Sequence, residues 1–267
     1  MRRLLKRIVQ ALAAAAYPGR CVRCGRLLRS VPQGSKEGQA LTFAALMARY
    51  VCRTCLTTYT PVTPPLCSRC GTLFRSREGA SHLCGACMRK PRAYTIARAV
   101  GIYDRVLMDV VHHFKYRGKI HLARPLGRRL FAEFTRHWGQ QAVDLVVPVP
   151  LHRARFRRRG FNQAYLLVRE WRHLAEAANP QPLDFRIDPH ILVRHRRTAP
   201  QSGLGPKQRR ANLRKALTVV APKRVQGRHV LIVDDVYTTG ATADECARTL
   251  LGNGAKRVDI LTLARVM

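Results

Sequence analysis

The stretch His229–Glu245 reads HVLIVDDVYTTGATADE. Its unbroken apolar run, Val230–Val233, suits a strand buried on both faces, as in a parallel sheet. The strand is expected over His229–Val233 and ends in two adjacent acids, Asp234 and Asp235. A loop of small residues follows, Thr238-Thr239-Gly240-Ala241-Thr242, and then a helix for which Thr242 and Glu245 have capping-box spacing. Exposed N–H groups and hydroxyls at a helix N-terminus form an anion cup, and phosphate is its natural guest. Carboxylates at the strand end accept hydrogen bonds from hydroxyls, so a sugar phosphate carrying a vicinal diol fits the pattern. For the two aspartates alone, a solvated strand end or a metal site is the competing reading. Neither a G-x-G-x-x-G nor a G-x-x-x-x-G-K-[ST] pattern occurs in the stretch, which weighs against dinucleotide and Walker-type nucleotide binding.

Apolar runs alternate with helical periodicity from Pro91 onward, the pattern of an α/β domain. Strands are expected at Ile96–Tyr103, Asp144–Val149, Ile191–Arg194, His229–Val233 and Val258–Ala264. Helices are expected at Asp104–Phe114, Leu122–His137, Asn162–Ala178 and Thr239–Gly252. Within this frame, DDVYTTGAT resembles the diphosphosugar-binding motif of type I phosphoribosyltransferases, enzymes that use phosphoribosyl pyrophosphate (PRPP). The resemblance implies Asp234 and Asp235 on the ribose hydroxyls, as the catalytic pair, and Thr238, Thr239, Gly240, Ala241 and Thr242 around the 5-phosphate.

Two basic segments add to this. LHRARFRRRGFNQA reads as a loop that places Arg153, Arg155, Arg157, Arg158 and Arg159 beside Gly160 at a helix start. Arginine forks suit a departing pyrophosphate, with Arg153, Arg158, Arg159, Gly160 and Lys115 as its expected contacts. The second segment carries eight Lys or Arg between Arg194 and Lys215. With Gly203, Gly205, Pro200 and Pro206 it reads as a mobile lid over an anionic substrate, or as a basic loop or nucleic-acid groove. His152 and His195 lie where a general base is wanted, but neither has a stronger claim than a surface histidine.

Eight of the nine cysteines form Cys-x-x-Cys pairs: Cys21/Cys24, Cys52/Cys55, Cys67/Cys70 and Cys84/Cys87. Two such pairs complete a four-thiolate zinc site. The first and third pairs read CVRCGRLL and CSRCGTLF, with a glycine suited to a tight knuckle whose N–H faces the sulfur. The second and fourth, VCRTCL and LCGACM, lack it. This internal repeat predicts two consecutive zinc ribbons, one on Cys21, Cys24, Cys52 and Cys55, the other on Cys67, Cys70, Cys84 and Cys87. Thirteen residues separate the pairs of the second ribbon and twenty-seven those of the first, which holds a polar insertion at Pro32–Gln39. Cross-pairing stays open on spacing alone. Four disulfides would need a secretory signal. The zinc is expected to be a structural staple for a segment poor in apolar side chains. Cys246 falls at helical spacing among Ala243, Ala247 and Leu250 and reads as core.

The layout as a whole resembles the ComF family, paired zinc ribbons followed by a phosphoribosyltransferase-like domain. The shared words are FKYRGK (Phe114–Lys119), VPVPLHR (Val147–Arg153), RRGFNQ (Arg158–Gln163), T-x-x-Q (Thr198–Gln201), RRANL (Arg209–Leu213) and IVDDVYTTGAT (Ile232–Thr242). The stretched first ribbon and Leu217, where the family commonly has Phe, are departures. The family is associated with competence, the handling of transforming single-stranded DNA, and includes GntX-like relatives linked to gluconate utilisation. The resemblance implies an α/β fold: a type I phosphoribosyltransferase-like parallel sheet flanked by helices, preceded by a small tandem zinc-ribbon domain. It also implies magnesium with PRPP, a glycosyltransferase-class activity without a named acceptor, and competence-machinery proteins as partners. A non-catalytic single-stranded-DNA-binding factor, with PRPP or a nucleotide as regulator, is the alternative.

The whole chain of 267 residues carries 49 Lys and Arg against 15 Asp and Glu, a formal charge of +34. Such a chain is predisposed to phosphates, nucleic acid or anionic surfaces, unless an arginine-rich proteome inflates the figure. No run reaches the roughly 18 apolar residues of a membrane span. At the N-terminus Leu4, Leu5, Ile8, Val9 and Leu12 share one helical stripe opposite Arg3, Lys6, Arg7 and Gln10. An amphipathic helix fits this better than a signal peptide. The expected division is an N-terminal helix at 1–20, zinc ribbons at 21–92 and the phosphoribosyltransferase-like domain at 93–267, in a cytoplasmic protein.

Overall fold

The computed structural model describes residues 19–28, 41–76, 78–140, 143–178, 183–195 and 216–267. The N-terminal stripe at 1–18, the insertion at 32–39, and the lid segment at 196–215 with Thr198–Gln201 and Arg209–Leu213 lie outside them. In chain order the helices are α1 (Phe43–Met47), α2 (Arg53–Leu56), α3 (Gly85–Arg89), α4 (Arg105–Tyr116), α5 (Ala123–Trp138), α6 (Arg153–Arg159), α7 (Gln163–Val168), α8 (Trp171–Ala178) and α9 (Ala241–Leu251). The strands are β1 (Ala97–Ile102), β2 (Leu145–Pro148), β3 (Arg186–Ile187), β4 (Leu192–Arg194), β5 (Leu217–Val219), β6 (His229–Tyr237) and β7 (Arg257–Arg265).

Five strands form one sheet in the order β1-β7-β6-β2-β3, every pairing parallel. The apolar runs of β6 and β7 fill its centre because strand side chains alternate between faces. Leu231, Val233, Leu261 and Leu263 pack on one side with Phe114, Leu126, Phe134, Trp138 and Trp171. Val230, Ile232, Val258 and Ile260 pack on the other with Cys246, Ala247 and Leu250 of α9. Cys246 is thus a core residue, as its spacing suggests. β4 pairs antiparallel with β5 in a separate hairpin, so the strand expected at Ile191–Arg194 does not join the main sheet.

Three sequence expectations are corrected. First, β6 runs on to Tyr237, so the two aspartates sit within the strand rather than beyond its end. The helix accordingly starts at Ala241, and its N-cap is Gly240, in a left-handed conformation at φ 74°. Thr242 lies in the first turn rather than at the N-cap. Second, the arginine run is a helix, α6. The Nδ1 of His152 accepts from the Ala154 N–H at 3.2 Å to open it, and Gly160 at φ 81° closes it. Third, the helix expected over Asn162–Ala178 is two, α7 and α8, with Asn162 capping the first.

The cysteine-rich segment is built into the α/β body. Cys21, Val22, Phe43, Met47, Val51 and Cys55 belong to the core that contains Val110, Phe114 and Leu126. Cys67, Cys70 and Cys87 join the core on the opposite face of the sheet, with Tyr94 and Tyr237. Each cluster combines a hairpin knuckle with the first turn of a short helix, α2 or α3, entered at Cys52 or Cys84. Among the described residues no helix is long and apolar enough to cross a membrane.

Candidate functional site

The chain leaves β2 toward β3 in one direction and leaves β6 toward β7 in the other, so the strand order reverses between β2 and β6. Ligands of open α/β sheets bind outside the carboxyl ends of the strands at such a switch point. There the structure has a cleft of about 600 Å³, lined by Val149, Pro150 and Leu151 after β2, by Asp234–Tyr237 at the carboxyl end of β6, and by Thr238, Gly240 and Thr242 beyond it. The walls supply Lys115 from α4, Arg155, Arg158 and Arg159 from α6, Arg194 from β4, and Tyr103, Tyr116 and Gln163. Five cationic side chains therefore face two carboxylates.

The two aspartates do different work. Asp235 is buried and its Oδ2 lies 2.8 Å from the Lys115 Nζ. Burial alone would lower the Lys115 ammonium, but the Asp235 carboxylate holds it above its ordinary value. Asp234 is half-buried and turns back to accept the Asp235 N–H at 2.9 Å. Burial first, and then the charge of Asp235, push its carboxyl up to about 8 against the pull of Lys115. A cation bound at the pair would act against this shift, because it favours the carboxylate form.

Opposite, the cations crowd one another. Burial, and then the Arg155 guanidinium, bring Arg194 down to about 10, while burial and Arg159 lower Arg155. Arg159 donates to the Gln163 Oε1 at 2.5 Å and lies over the Tyr116 ring, 5.1 Å from its centroid. Like charges held this close in a part-desolvated wall are relieved by an anion, and arginine forks match phosphate oxygens.

The loop between β6 and α9 admits only glycine at position 240. A Cβ there would collide with the Tyr237 Oη, and the φ of 74° already disfavours any L side chain. Gly240→Ala is therefore expected to cost more than about 1–2 kcal/mol, the left-handed penalty alone, and to weaken anion binding at the loop. Thermal denaturation and phosphate titration check both. A variant with wild-type stability would show that the loop can rearrange freely.

Of the residues singled out from the sequence, Lys115, Arg158, Arg159, Asp234, Asp235, Thr238, Gly240 and Thr242 line this cleft. Thr239 and Ala241 complete the loop, and the Thr239 Oγ1 accepts the Ala241 N–H at 3.4 Å. Arg153 and Gly160 line a second, neighbouring cleft of about 760 Å³ instead, with Phe156, Arg157 and Tyr165. His152 is spent on capping α6. His195 is exposed, its Nδ1 3.1 Å from the Thr218 Oγ1, and neither histidine lines the first cleft. Tyr103, Tyr116 and Gln163 line the cleft as well; the sequence reading assigned none of them a role, although Tyr116 and Gln163 lie in FKYRGK and RRGFNQ. Arg194, read as the first residue of a lid, is buried on β4. A buried strand position carrying arginine is the signal that was available.

The thiols fall into the two predicted sets. Cys21, Cys24, Cys52 and Cys55 bring their sulfurs within 4.8 Å of one another, and so do Cys67, Cys70, Cys84 and Cys87. This removes the cross-paired alternative. All nine cysteines are free thiols rather than disulfides. The Sγ–Sγ separations of 3.7 Å for Cys24–Cys52 and 3.8 Å for Cys70–Cys84 match the edge of a tetrahedron with zinc–sulfur bonds of about 2.3 Å. Knuckle amides stabilise thiolate: the Cys52 N–H donates to the Cys21 Sγ at 3.4 Å, and the Cys70 and Cys84 N–H groups donate to the Cys67 Sγ at 3.4 and 3.3 Å. Against the desolvation that burial imposes, such amide bonds bring Cys21 and Cys67 down to about 6. Gly25 and Gly71 do take positive φ. Their N–H groups, however, donate to the Cys21 and Cys67 carbonyl oxygens at 2.9 Å, not to sulfur. Both donor sets fit a structural zinc.

The phosphoribosyl transferase domain family matches residues 192–267. The chain is 37% identical over 209 residues to the DNA utilization protein YhgH of Escherichia coli K12, covering 76% of this chain and 85% of that protein. It is 30% identical over 205 residues to competence protein F of Haemophilus influenzae, covering 75% and 85%. It is 27% identical over 243 residues to competence protein ComFC of Bacillus subtilis, covering 86% and 92%. On this likeness, on the phosphoribosyl transferase match and on the two four-cysteine sets, the chain belongs to the ComF family of competence and DNA utilization proteins.

Proposed function

We propose that the cleft at the β2/β6 switch point binds PRPP with magnesium and that the protein is a phosphoribosyltransferase-type member of its family. The observation that carries this reading is the convergence there of the Asp234–Asp235 pair, the glycine-hinged loop at the α9 N-terminus and five cations. The 5-phosphate would take the loop, Thr238 to Thr242, whose hydroxyls and N–H groups are donors. The ribose hydroxyls would donate to Asp234 and Asp235, and Lys115 holds the second of these in place. The pyrophosphate would lie against Arg155, Arg158, Arg159 and Arg194, where separating negative charge is stabilised. Magnesium, when bound, would share the pyrophosphate charge. Positive character at C1 during displacement would be favoured by the carboxylates below it. Zinc at the two cysteine sets would act as structural support for residues 21–92 on the domain at 93–267. A cytoplasmic setting would keep these cysteines reduced and available to zinc.

Calorimetry of magnesium–PRPP on zinc-loaded protein tests this, beside an Asp234→Asn, Asp235→Asn double variant. Binding that requires magnesium, and that the variant loses by at least tenfold, is expected; an acceptor screen among bases follows from it. No binding at millimolar PRPP overturns it.

The second cleft favours a second reading, a single-stranded-DNA-binding role. Phe156 and Tyr165 are 48% and 38% exposed beside Arg153 and Arg157, a pairing of stacking platforms with phosphate contacts. Under that reading Phe156→Ala weakens oligonucleotide binding and the aspartate variant leaves it unchanged. The relatives' names, DNA utilization and competence, accord with either role.

A further inference from the structure

We propose that the second four-cysteine cluster, Cys67, Cys70, Cys84 and Cys87, positions the phosphate loop through Arg265 and Tyr237, so that its metal occupancy governs the loop while that of the first cluster does not. This rests on reading 238–242 as the anion loop, and it adds a control on that site.

The connection runs through named contacts. Arg265, the last residue of β7, is buried; its Nη1 donates to the Cys70 carbonyl at 2.5 Å and its Nη2 to the Thr72 Oγ1 at 2.6 Å. The same guanidinium lies over the Tyr237 ring, 4.7 Å from its centroid. Tyr237 in turn fills the space that a side chain on Gly240 would need. Two further contacts reach the loop from the chain that leaves the cluster. The Tyr94 and Tyr237 hydroxyls are 2.5 Å apart, and the Ala93 N–H donates to the Asp244 Oδ1, in the first turn of α9, at 2.8 Å. The knuckle is pressed against the sheet, since a Cβ on Gly71 would meet the Ala97 carbonyl at 2.6 Å.

A cation makes the four sulfurs converge and so fixes the Cys70 carbonyl. Without one, the knuckle relaxes and Arg265 loses a buried acceptor. Its guanidinium must then move, and the Tyr237 ring and Gly240 lose their stop. The first cluster leads elsewhere. Arg23 pairs with Asp109 of α4 at 3.2 Å, Phe43 stacks on Tyr59, and Cys21 and Cys55 pack in the core beneath α4 and α5.

The test compares three full-length variants by zinc content, magnesium–PRPP calorimetry and hydrogen exchange of the Thr239–Ala241 amides. Cys84→Ser with Cys87→Ser empties the second cluster, Cys24→Ser with Cys52→Ser empties the first, and Arg265→Met severs the link with both metals in place. Arg265→Met is expected to keep two zinc ions per chain, to speed loop exchange at least tenfold with core amides unchanged, and to weaken PRPP at least tenfold, with Arg265→Lys in between. The second-cluster variant should behave likewise with one zinc fewer, and the first-cluster variant should keep wild-type loop exchange. Wild-type loop exchange in Arg265→Met, or equal loop effects from the two clusters, overturns the proposal. Should the second-cluster variant fail to fold, Arg265→Met decides. If wild-type protein binds no PRPP, the site reading fails, and the exchange data still decide the coupling.

Discussion

Lys115→Met is expected to lower stability at neutral pH by about 3–5 kcal/mol, the cost of leaving a buried charge without its partner. The Asp235 side chain is 4% exposed and that of Lys115 14%, so little water can replace the ammonium. Asp234, adjacent in sequence, cannot help, because burial and Asp235 have already pushed its own carboxyl up. Urea unfolding at neutral pH measures this. The double variant Lys115→Met, Asp235→Asn should recover most of the loss, because it removes the unpaired charge. Equal stability of wild type and Lys115→Met would mean that the pair contributes nothing to the fold. The arrangement also fits the proposed binding role, since a ribose diol or a cation would meet a pair that is already preorganised.

Much of this site was legible because its signals are local. The run of apolar residues before two acids, the small-residue loop and the Cys-x-x-Cys spacing each fix chemistry within a few residues of chain. They place Asp234, Asp235, Gly240 and the eight thiols without knowledge of anything distant. Where the reading slipped, the deciding force was tertiary. α6 buries none of its residues, so it has no apolar face to betray it, and only the His152 cap and the αL Gly160 make it a helix. β6 overran its expected end because Val236 and Tyr237 still pair with Ala264 and Arg265 across the sheet. The aspartates therefore face the cleft from within a strand. That register also splits their roles, since successive strand residues point to opposite sides. Asp235 turns to Lys115, and Asp234 folds back on the backbone. The docking of the cysteine clusters was illegible for the same reason: Arg265 and Cys70 are 195 residues apart. No spacing rule reaches that far.

Asp259→Ala is expected to be among the most damaging single changes outside the cleft, costing about 2–6 kcal/mol at roughly 1–3 kcal/mol for each of the two buried side-chain donors, Trp138 and His229, left unmet. Asp259 is 0% exposed on β7, and one carboxylate oxygen takes the Trp138 Nε1–H at 2.8 Å, the His229 Nε2 at 2.8 Å and Arg257 at 2.9 Å. The other takes the Ile96 N–H at 3.2 Å. These partners close α5, open β6, start β7 and precede β1, so one side chain ties the sheet together at its amino-terminal end. The cleft lies at the opposite, carboxyl end. Burial would raise the Asp259 carboxyl, but the hydrogen bonds from His229, Trp138 and Arg257 hold it below its ordinary range. Its contribution is therefore complete above the unfolded value of about 4 and is lost as pH falls through the folded one. Thermal unfolding from pH 7 down to pH 3 should show wild type losing more stability in acid than Asp259→Asn, whose amide keeps an acceptor but does not titrate. An identical acid limb in the two proteins would remove Asp259 from the account. Ligand binding per folded molecule should not change in Asp259→Asn, because its partners act on the far end of the strands. A loss of binding would mean that β6 and β7 carry strain along their length, so that the two ends of the sheet cannot be altered separately.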